Sequence, residues 1–219
     1  MKITKHGHSC VVIQEGANAV LIDPGAFTPG AGELIAAATT ILVTHEHLDH
    51  VDVEAVAAAL ASRSDLTVCA PQAVVALLRD ATPGALAGAL NAVAAGDRFS
   101  VGDLSVEVYG EVHSPIHPDI PQCANVGYLV GGRVFHPGDS IQVPDAVVEV
   151  LLLPTSGPWY STGQAIDYVR AINPRRCIQI HESFASEMGQ NSLALRFINP
   201  EAFTEVALEL VPPGESRDL

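Results

Sequence analysis

The sequence predicts a layered protein in which helices cover the outer faces of β-sheets. Three observations lead there. Apolar residues make up 48% of the 219 positions and charged residues 16%, a balance that supports a sizeable core and argues against disorder. Strand-like runs punctuated by Gly, Pro and Asp come first, and strands and helices are then mixed, twice over. Runs such as Leu104–Tyr109 alternate apolar and polar side chains, the period of a half-buried strand. The length suits one domain over residues 1–219, built as a unit or as two intimately packed halves.

In chain order, strands are predicted at Lys2–Thr4, Cys10–Gln14, Ala19–Ile22 and Ile41–Val43. An alanine-rich helix follows at Val51–Ala61, then a strand at Leu66–Ala70. A second helix runs from Pro71 to Arg79, with proline at its first turn. Ala81–Ala95 reads as a small-residue linker or loose helix, because Gly84 and Gly88 weaken helical order. Beyond it, Asn125–Val130 and Arg133–His136 flank Gly131-Gly132, a hairpin turn pair. A buried strand at Val147–Leu153, a helix at Thr162–Ile172 and a strand at Cys177–Ile180 come next. A helix near Gly189–Ile198 and a strand near Glu205–Val211 close the series, and Pro212–Leu219 is expected to fray.

Composition excludes several classes of function. With 11 Lys+Arg against 25 Asp+Glu, the formal charge of −14 opposes a phosphate-binding surface for nucleic acid and an anchor on anionic membranes. No apolar run reaches the length of a membrane span, and the short Cys10–Ile13 stretch falls below a secretory h-region. Cys10, Cys69, Cys123 and Cys177 form no C-x-x-C pair, so zinc-knuckle and thioredoxin chemistry is not expected. Reduced, packed cysteines in a cytoplasmic protein fit this pattern best. Serine-hydrolase elbows and P-loops are absent from the sequence, and lysine occurs only at positions 2 and 5.

The informative segment is Thr44-His45-Glu46-His47-Leu48-Asp49-His50, directly after the apolar run Ile41–Val43. In an extended segment, residues two apart point the same way, so His45 and His47 can converge on one cation. Asp49 and His50, at the mouth of the next helix, point to a neighbouring position, and Asp49 suits a helix amino terminus. Nine His and twelve Asp in 219 residues make a chance H-x-H-x-D-H about a one-in-a-thousand event. That outweighs a solvated helix start with incidental histidines.

This segment resembles the H-x-H-x-D-H signature of the metallo-β-lactamase fold superfamily. The later residues agree in order: His113 in Glu-Val-His-Ser, Asp139 in Phe-His-Pro-Gly-Asp-Ser, and His181 ending Cys-Ile-Gln-Ile-His. The likeness runs from Gly7-His8-Ser9 and Leu21-Ile22-Asp23-Pro24 through His181. It is strongest with the small single-domain metal-dependent hydrolases, the group that includes ascorbate-phosphate lactonase-like proteins. The resemblance implies an α+β fold, a four-layer αββα sandwich of two facing sheets with helices outside and the site at one edge. It implies a binuclear centre as well, with His45, His47 and His113 on one metal, Asp49, His50 and His181 on the other, and Asp139 bridging.

Imidazoles with two carboxylates suit two divalent ions, zinc first and manganese or iron next. Two dications, two carboxylates and one hydroxide leave about +1, so an acidic protein can present a positive pocket. The implied activity is hydrolysis of an ester-like bond of a small molecule (lactone, thioester or phosphodiester) by a metal-bridged hydroxide, with Asp49 and Asp139 as catalytic carboxylates. A nucleic-acid phosphodiesterase and a non-catalytic metal-binding member are the alternatives, and homo-oligomerisation is left open. Ser114–Ala124 departs from the Gly- and Ser-rich stretch of the lactonase-like group, which leaves any specific lactone unassigned.

Five further residues are expected behind the ligands or against substrate. Asp23 is placed to accept a ligand imidazole's outer N–H. His8 lies in the segment that lines the floor of such sites, His136 can support the Asp139 turn, and His117 occupies a Pro-rich loop. Trp159, with Tyr160 beside it, is the aromatic candidate for substrate contact. Glu46 should point away from the metals.

Overall fold

Two seven-stranded sheets face each other in the computed structural model, which describes residues 1–83 and 88–219. The first sheet opens as an antiparallel meander of β1 (Lys2–Gly7), β2 (Cys10–Glu15) and β3 (Asn18–Ile22). After α1 (Ala31–Ala37) it continues in parallel, with β4 (Thr40–Leu42), α2 (Val53–Ser62), β5 (Thr67–Ala70), α3 (Gln72–Ala81) and β6 (Leu90–Ala92). The second sheet repeats the plan. Antiparallel β7 (Arg98–Val101), β8 (Leu104–Tyr109), β9 (Gly127–Val130) and β10 (Val134–His136) precede a parallel half. That half holds β11 (Val150–Pro154), α4 (Thr162–Ile172), β12 (Arg176–Ile180), α5 (Glu187–Arg196) and β13 (Leu208–Glu209). Finally β14 (Ser216–Asp218) returns to pair with β1.

Three apolar clusters define four layers. The central one joins inward residues of both sheets, among them Ile13, Ile22 and Leu42 with Val106, Tyr128, Leu152 and Ile178. A second seals α1–α3 against the first sheet through Ile35, Val56, Leu60, Val74 and Leu78. The third seals α4 and α5 against the other sheet through Leu151, Leu153, Ala165, Val169 and Leu193. This is the αββα sandwich that the resemblance implied, and the alternation of β8 places Leu104, Val106 and Val108 inward.

Local chemistry explains the elements that match. Gly131 and Gly132 both have positive φ, 61° and 62°, as a two-residue hairpin turn requires. Helix α4 begins where its capping box sits, Ser161 accepting from the Gln164 backbone, and spans the expected residues. Helix α2 starts later than expected: Asp52, not Asp49, accepts the Ala55 N–H as its cap, which frees Asp49.

Other expectations need correction. The glycines around α1 hid that helix. The stretch 81–95 contains β6, an edge strand parallel to β5, while its residues 84–87 lie outside those described. Strand β7 was not expected, and the strand near 205–211 shortens to Leu208–Glu209. The carboxyl terminus is not frayed: β1 offers an open edge, β14 fills it, and Arg176 donates to the Asp218 carbonyl. Among the described residues the four cysteines form no disulfide, and no helix is long and apolar enough to cross a membrane.

Leu152 is fully buried between the sheets. Leu152→Ala should lower the unfolding free energy by about 2–5 kcal/mol in urea titration; an unchanged midpoint would contradict a core on this face.

Candidate metal centre

Six strands deliver the candidate residues to one edge of the sandwich. His8 follows β1, Asp23 follows β3, and the His45–His50 loop follows β4. From the other sheet, His113 follows β8, Asp139 follows β10 and His181 follows β12. Cross-sheet hydrogen bonds hold the two rims together. Val126 N–H donates to Thr44 O, His181 N–H to His8 O, and the Tyr128 hydroxyl to Val43 O, at 2.9, 3.0 and 2.8 Å.

The side chains gather in two groups whose polar atoms lie within 4.8 Å of one another in each. His45, His47, His113 and Asp139 form one; His8, Asp49, His50 and His181 form the other. Asp139 reaches both. Its Oδ2 lies 3.3 Å from His113 Nε2 and 3.0 Å from His181 Nε2, and its Oδ1 lies 3.1 Å from His50 Nε2. In the first group, His45 Nε2 and His47 Nδ1 converge to 3.0 Å.

Outer hydrogen bonds decide which ring nitrogen faces inward. Asp23 is fully buried and accepts at Oδ2 from His50 Nδ1 (2.6 Å) and the Thr44 hydroxyl (2.7 Å), and at Oδ1 from Thr44 N–H (2.8 Å). With its own proton given to Asp23, Thr44 Oγ1 accepts from His45 Nδ1 at 3.0 Å. His113 Nδ1 donates to the Ser114 carbonyl. Each bond leaves Nε2 free to point into the site. His47 is reversed: Nδ1 points in, and Nε2 faces Cys123 Sγ at 3.8 Å.

The resulting electrostatics favour cations. Burial alone would raise the Asp139 carboxyl, but His50, His113 and His181 hold it well below the usual carboxylate range. Burial likewise opposes ionisation of Asp49, yet the hydrogen bond from His8 and the charges of His50 and His181 bring it down to about 2. His45 is pushed well below the ordinary imidazole range by complete burial. His50 is equally buried, but Asp139 and Asp23 outweigh that and raise it. The ionised carboxylates that favour a proton on His50 can favour a dication instead.

A fit test for metal comes from unpartnered atoms. His50 Nε2, His113 Nε2, His181 Nε2 and Asp139 Oδ1 are buried without any hydrogen-bond partner. Four such orphans facing one another are costly unless a ligand satisfies them. Nitrogen and carboxylate donors in this arrangement fit borderline divalent ions.

The remaining candidates separate. His8 joins the second group, with Nε2 3.0 Å from Asp49 Oδ2. His136 donates Nε2–H to Ser9 O and accepts Gly138 N–H at Nδ1, so both nitrogens are used in holding the turn before Asp139. His117 belongs to neither group; it is exposed and bonded to Asp119 on its own loop. Trp159 is buried rather than presented to solvent: its indole N–H donates to Asp139 Oδ2 at 2.9 Å. Tyr160 packs against that indole, and Glu46 lies in neither group.

Sequence reasoning missed Thr44 and Asn125. Thr44 heads the histidine motif, and its hydroxyl was the available signal. Asn125 accepts Asp139 N–H and donates to Pro137 O, and a side chain on Gly138 would come within 2.4 Å of it. Among the described residues, three of the four non-glycine positions with positive φ are His8, Asp23 and His181, so backbone strain collects at this edge.

The chain belongs to the β-lactamase superfamily: residues 2–181 match the family model described as a β-lactamase superfamily domain. It is 36% identical over 192 residues to protein Rv0786c of Mycobacterium tuberculosis, covering 85% of this chain and 86% of that protein. A UPF0173 metal-dependent hydrolase of Pyrobaculum calidifontis is 27% identical, with 98% of each chain covered. Among solved structures, the metallo-β-lactamase fold protein YhfI of Bacillus subtilis aligns with TM-score 0.72 at 14% identity, over 99% of this chain and 98% of that one. An isothiocyanate hydrolase from Delia radicum gut bacteria gives TM-score 0.72 at 14% identity, over 100% and 99%. The fold, the family and the donor set together define a metal-dependent hydrolase.

Asp23→Asn keeps the side chain's shape but loses one acceptor. Chelator competition should show metal affinity weakened by about 10- to 100-fold. Trp159→Phe, which removes only the indole N–H, should fold normally and weaken metal binding in the same assay; wild-type affinity in both variants would show that these outer bonds do not orient the ligands.

Proposed function

We propose that the protein hydrolyses an ester-like bond, in a lactone, thioester or phosphodiester, of a small molecule at a centre of two divalent ions. The supporting observation is Asp139, whose two oxygens reach histidines of both groups while Oδ1 and three facing imidazole nitrogens lack partners. His45, His47, His113 and Asp139 would hold one ion. Asp49, His50 and His181, again with Asp139, would hold the other. Zinc suits the imidazole-rich donors best, and manganese or iron fits the same set. Such ions supply Lewis acidity and a water acidified to hydroxide near neutral pH.

The chain's own residues do the rest. Asp49 stays ionised because His8 hydrogen-bonds its Oδ2, so it remains a proton acceptor throughout the neutral range. Asp49 thereby orients a proton of the attacking water, and His8 holds Asp49 in place. Trp159 and Asn125 fix Asp139 from its side chain and its backbone. Buried walls limit water to the reacting edge, since His45, His50, His113 and His181 are almost fully covered.

The charge of −14 supports a small-molecule substrate over nucleic acid. Relatives described as metal-dependent hydrolases support the reaction class. Metal analysis of the purified protein should find about two equivalents per chain. A panel of lactones, thioesters and phosphodiesters should reveal turnover. His47→Ala and Asp139→Ala should each lose metal and reduce turnover by more than about a hundredfold, beyond the loss from removing outer partners. Full activity in either variant would refute the assignment.

A further inference from the structure

We infer that Phe27 and Phe184, at the mouth of the second histidine group, form the seat for an apolar acyl or alkyl arm of the substrate. The inference rests on the hydrolase reading above and adds the class of molecule that this edge accepts. Both rings are large and apolar, yet 40% and 57% exposed. Isolated exposed side chains of this kind are ordinary, but these two are not isolated. They come from different loops, one after β3 and one after β12, and meet edge to face with ring centres 5.8 Å apart.

Both also pack on imidazoles of the site. Phe27 lies 5.3 Å from His8, and Phe184 lies 5.8 Å from His8 and 5.7 Å from His181, nearly parallel to the latter. Aromatic surface therefore runs without a break from solvent to the ring whose Nε2 faces Asp139. Leu48, 63% exposed on the ligand loop, adjoins this strip: its carbonyl accepts the Ala26 N–H at 2.8 Å.

The strip is built rather than incidental. A side-chain carbon on Gly25 would fall 2.0 Å from Asp49 O, so only glycine lets the segment leading to Phe27 lie flat on the ligand loop. On the other side, Glu182 accepts from the His8 backbone at 3.1 Å and from buried Lys5, and its own carbonyl accepts Ala185 N–H at 2.8 Å. These bonds fix the turn that carries Phe184.

Charge points the same way. The two lysines are Lys2 and Lys5, and Lys5 is committed to Glu182. Arg63, Arg133 and Arg176 are committed to Asp65, Glu149 and Glu209. His8 and His181, the imidazoles against the two rings, themselves face carboxylates, Asp49 and Asp139. An uncharged hydrocarbon arm gains by covering the two rings.

Linear alkyl hydroxamates test this on the metal-loaded protein, because the head group chelates cations and only the tail varies. Calorimetry from acetohydroxamate to octanohydroxamate should show affinity rising up to about fourfold per added methylene until the strip is covered. In Phe27→Ala/Phe184→Ala the rise should flatten while acetohydroxamate binds as in the wild type; both side chains are exposed, so folding is preserved. A flat series in the wild type, no binding by any member, or an undiminished rise in the double variant would overturn the inference. A change of oligomeric state in that variant with the rise intact would assign the patch to a second copy of the chain and overturn it equally. Turnover is not needed for this measurement. Absence of activity on the ester panel with a steep hydroxamate series would sink the hydrolase reading and leave the apolar seat standing.

Discussion

The Asp139 carboxylate is the constraint around which this molecule is arranged. It is buried, held by the Trp159 indole on one side, and its oxygens lie between histidines of two groups. A lone buried carboxylate is costly, and so are facing imidazoles without donors to accept. Two dications at this edge would satisfy all of them at once. Without such ions, three imidazole nitrogens and one carboxylate oxygen stay buried without partners, which is why the site reads as a binding centre.

The fold makes that crowding feasible. In each sheet an antiparallel half is followed by a parallel half, so the strands bearing the candidate ligands run in the same direction and end at the same edge. Bonds across the rim, from Thr44 O to Val126 N–H and from His8 O to His181 N–H, fix the separation of the two sheets there. Left-handed backbone at His8, Asp23 and His181 turns the chain sharply after each strand. The large core between the sheets offsets this strain, since fully burying each Val, Leu or Ile contributes roughly 1.5–3 kcal/mol.

Much of this was legible in the sequence because the candidate ligands are chemically rare residues at strand ends. The T-H-x-H-x-D-H segment, His113, Asp139 and His181 could be placed in order, and the structure brings all seven ligand candidates to one edge. The outer partners were less legible. Asp23 stood out as a carboxylate before Pro24, but Thr44 and Asn125 act through one hydroxyl and one amide, which abound elsewhere. Trp159 was expected either behind the candidate ligands or against substrate, and its indole N–H turns inward to Asp139. His117, named for its Pro-rich loop, lies exposed on that loop beside Asp119. Edge strands β6, β7 and β14 escaped because short strands carry little periodic signal and depend on a neighbour to pair with.

The most direct test of a carboxylate shared between two cations is anomalous diffraction from crystals grown with saturating zinc. The account predicts two peaks, about 3.5–4 Å apart, one among His45, His47 and His113 and one among Asp49, His50 and His181, with Asp139 in contact with both. A single peak, or two peaks with Asp139 bound to neither, would contradict it.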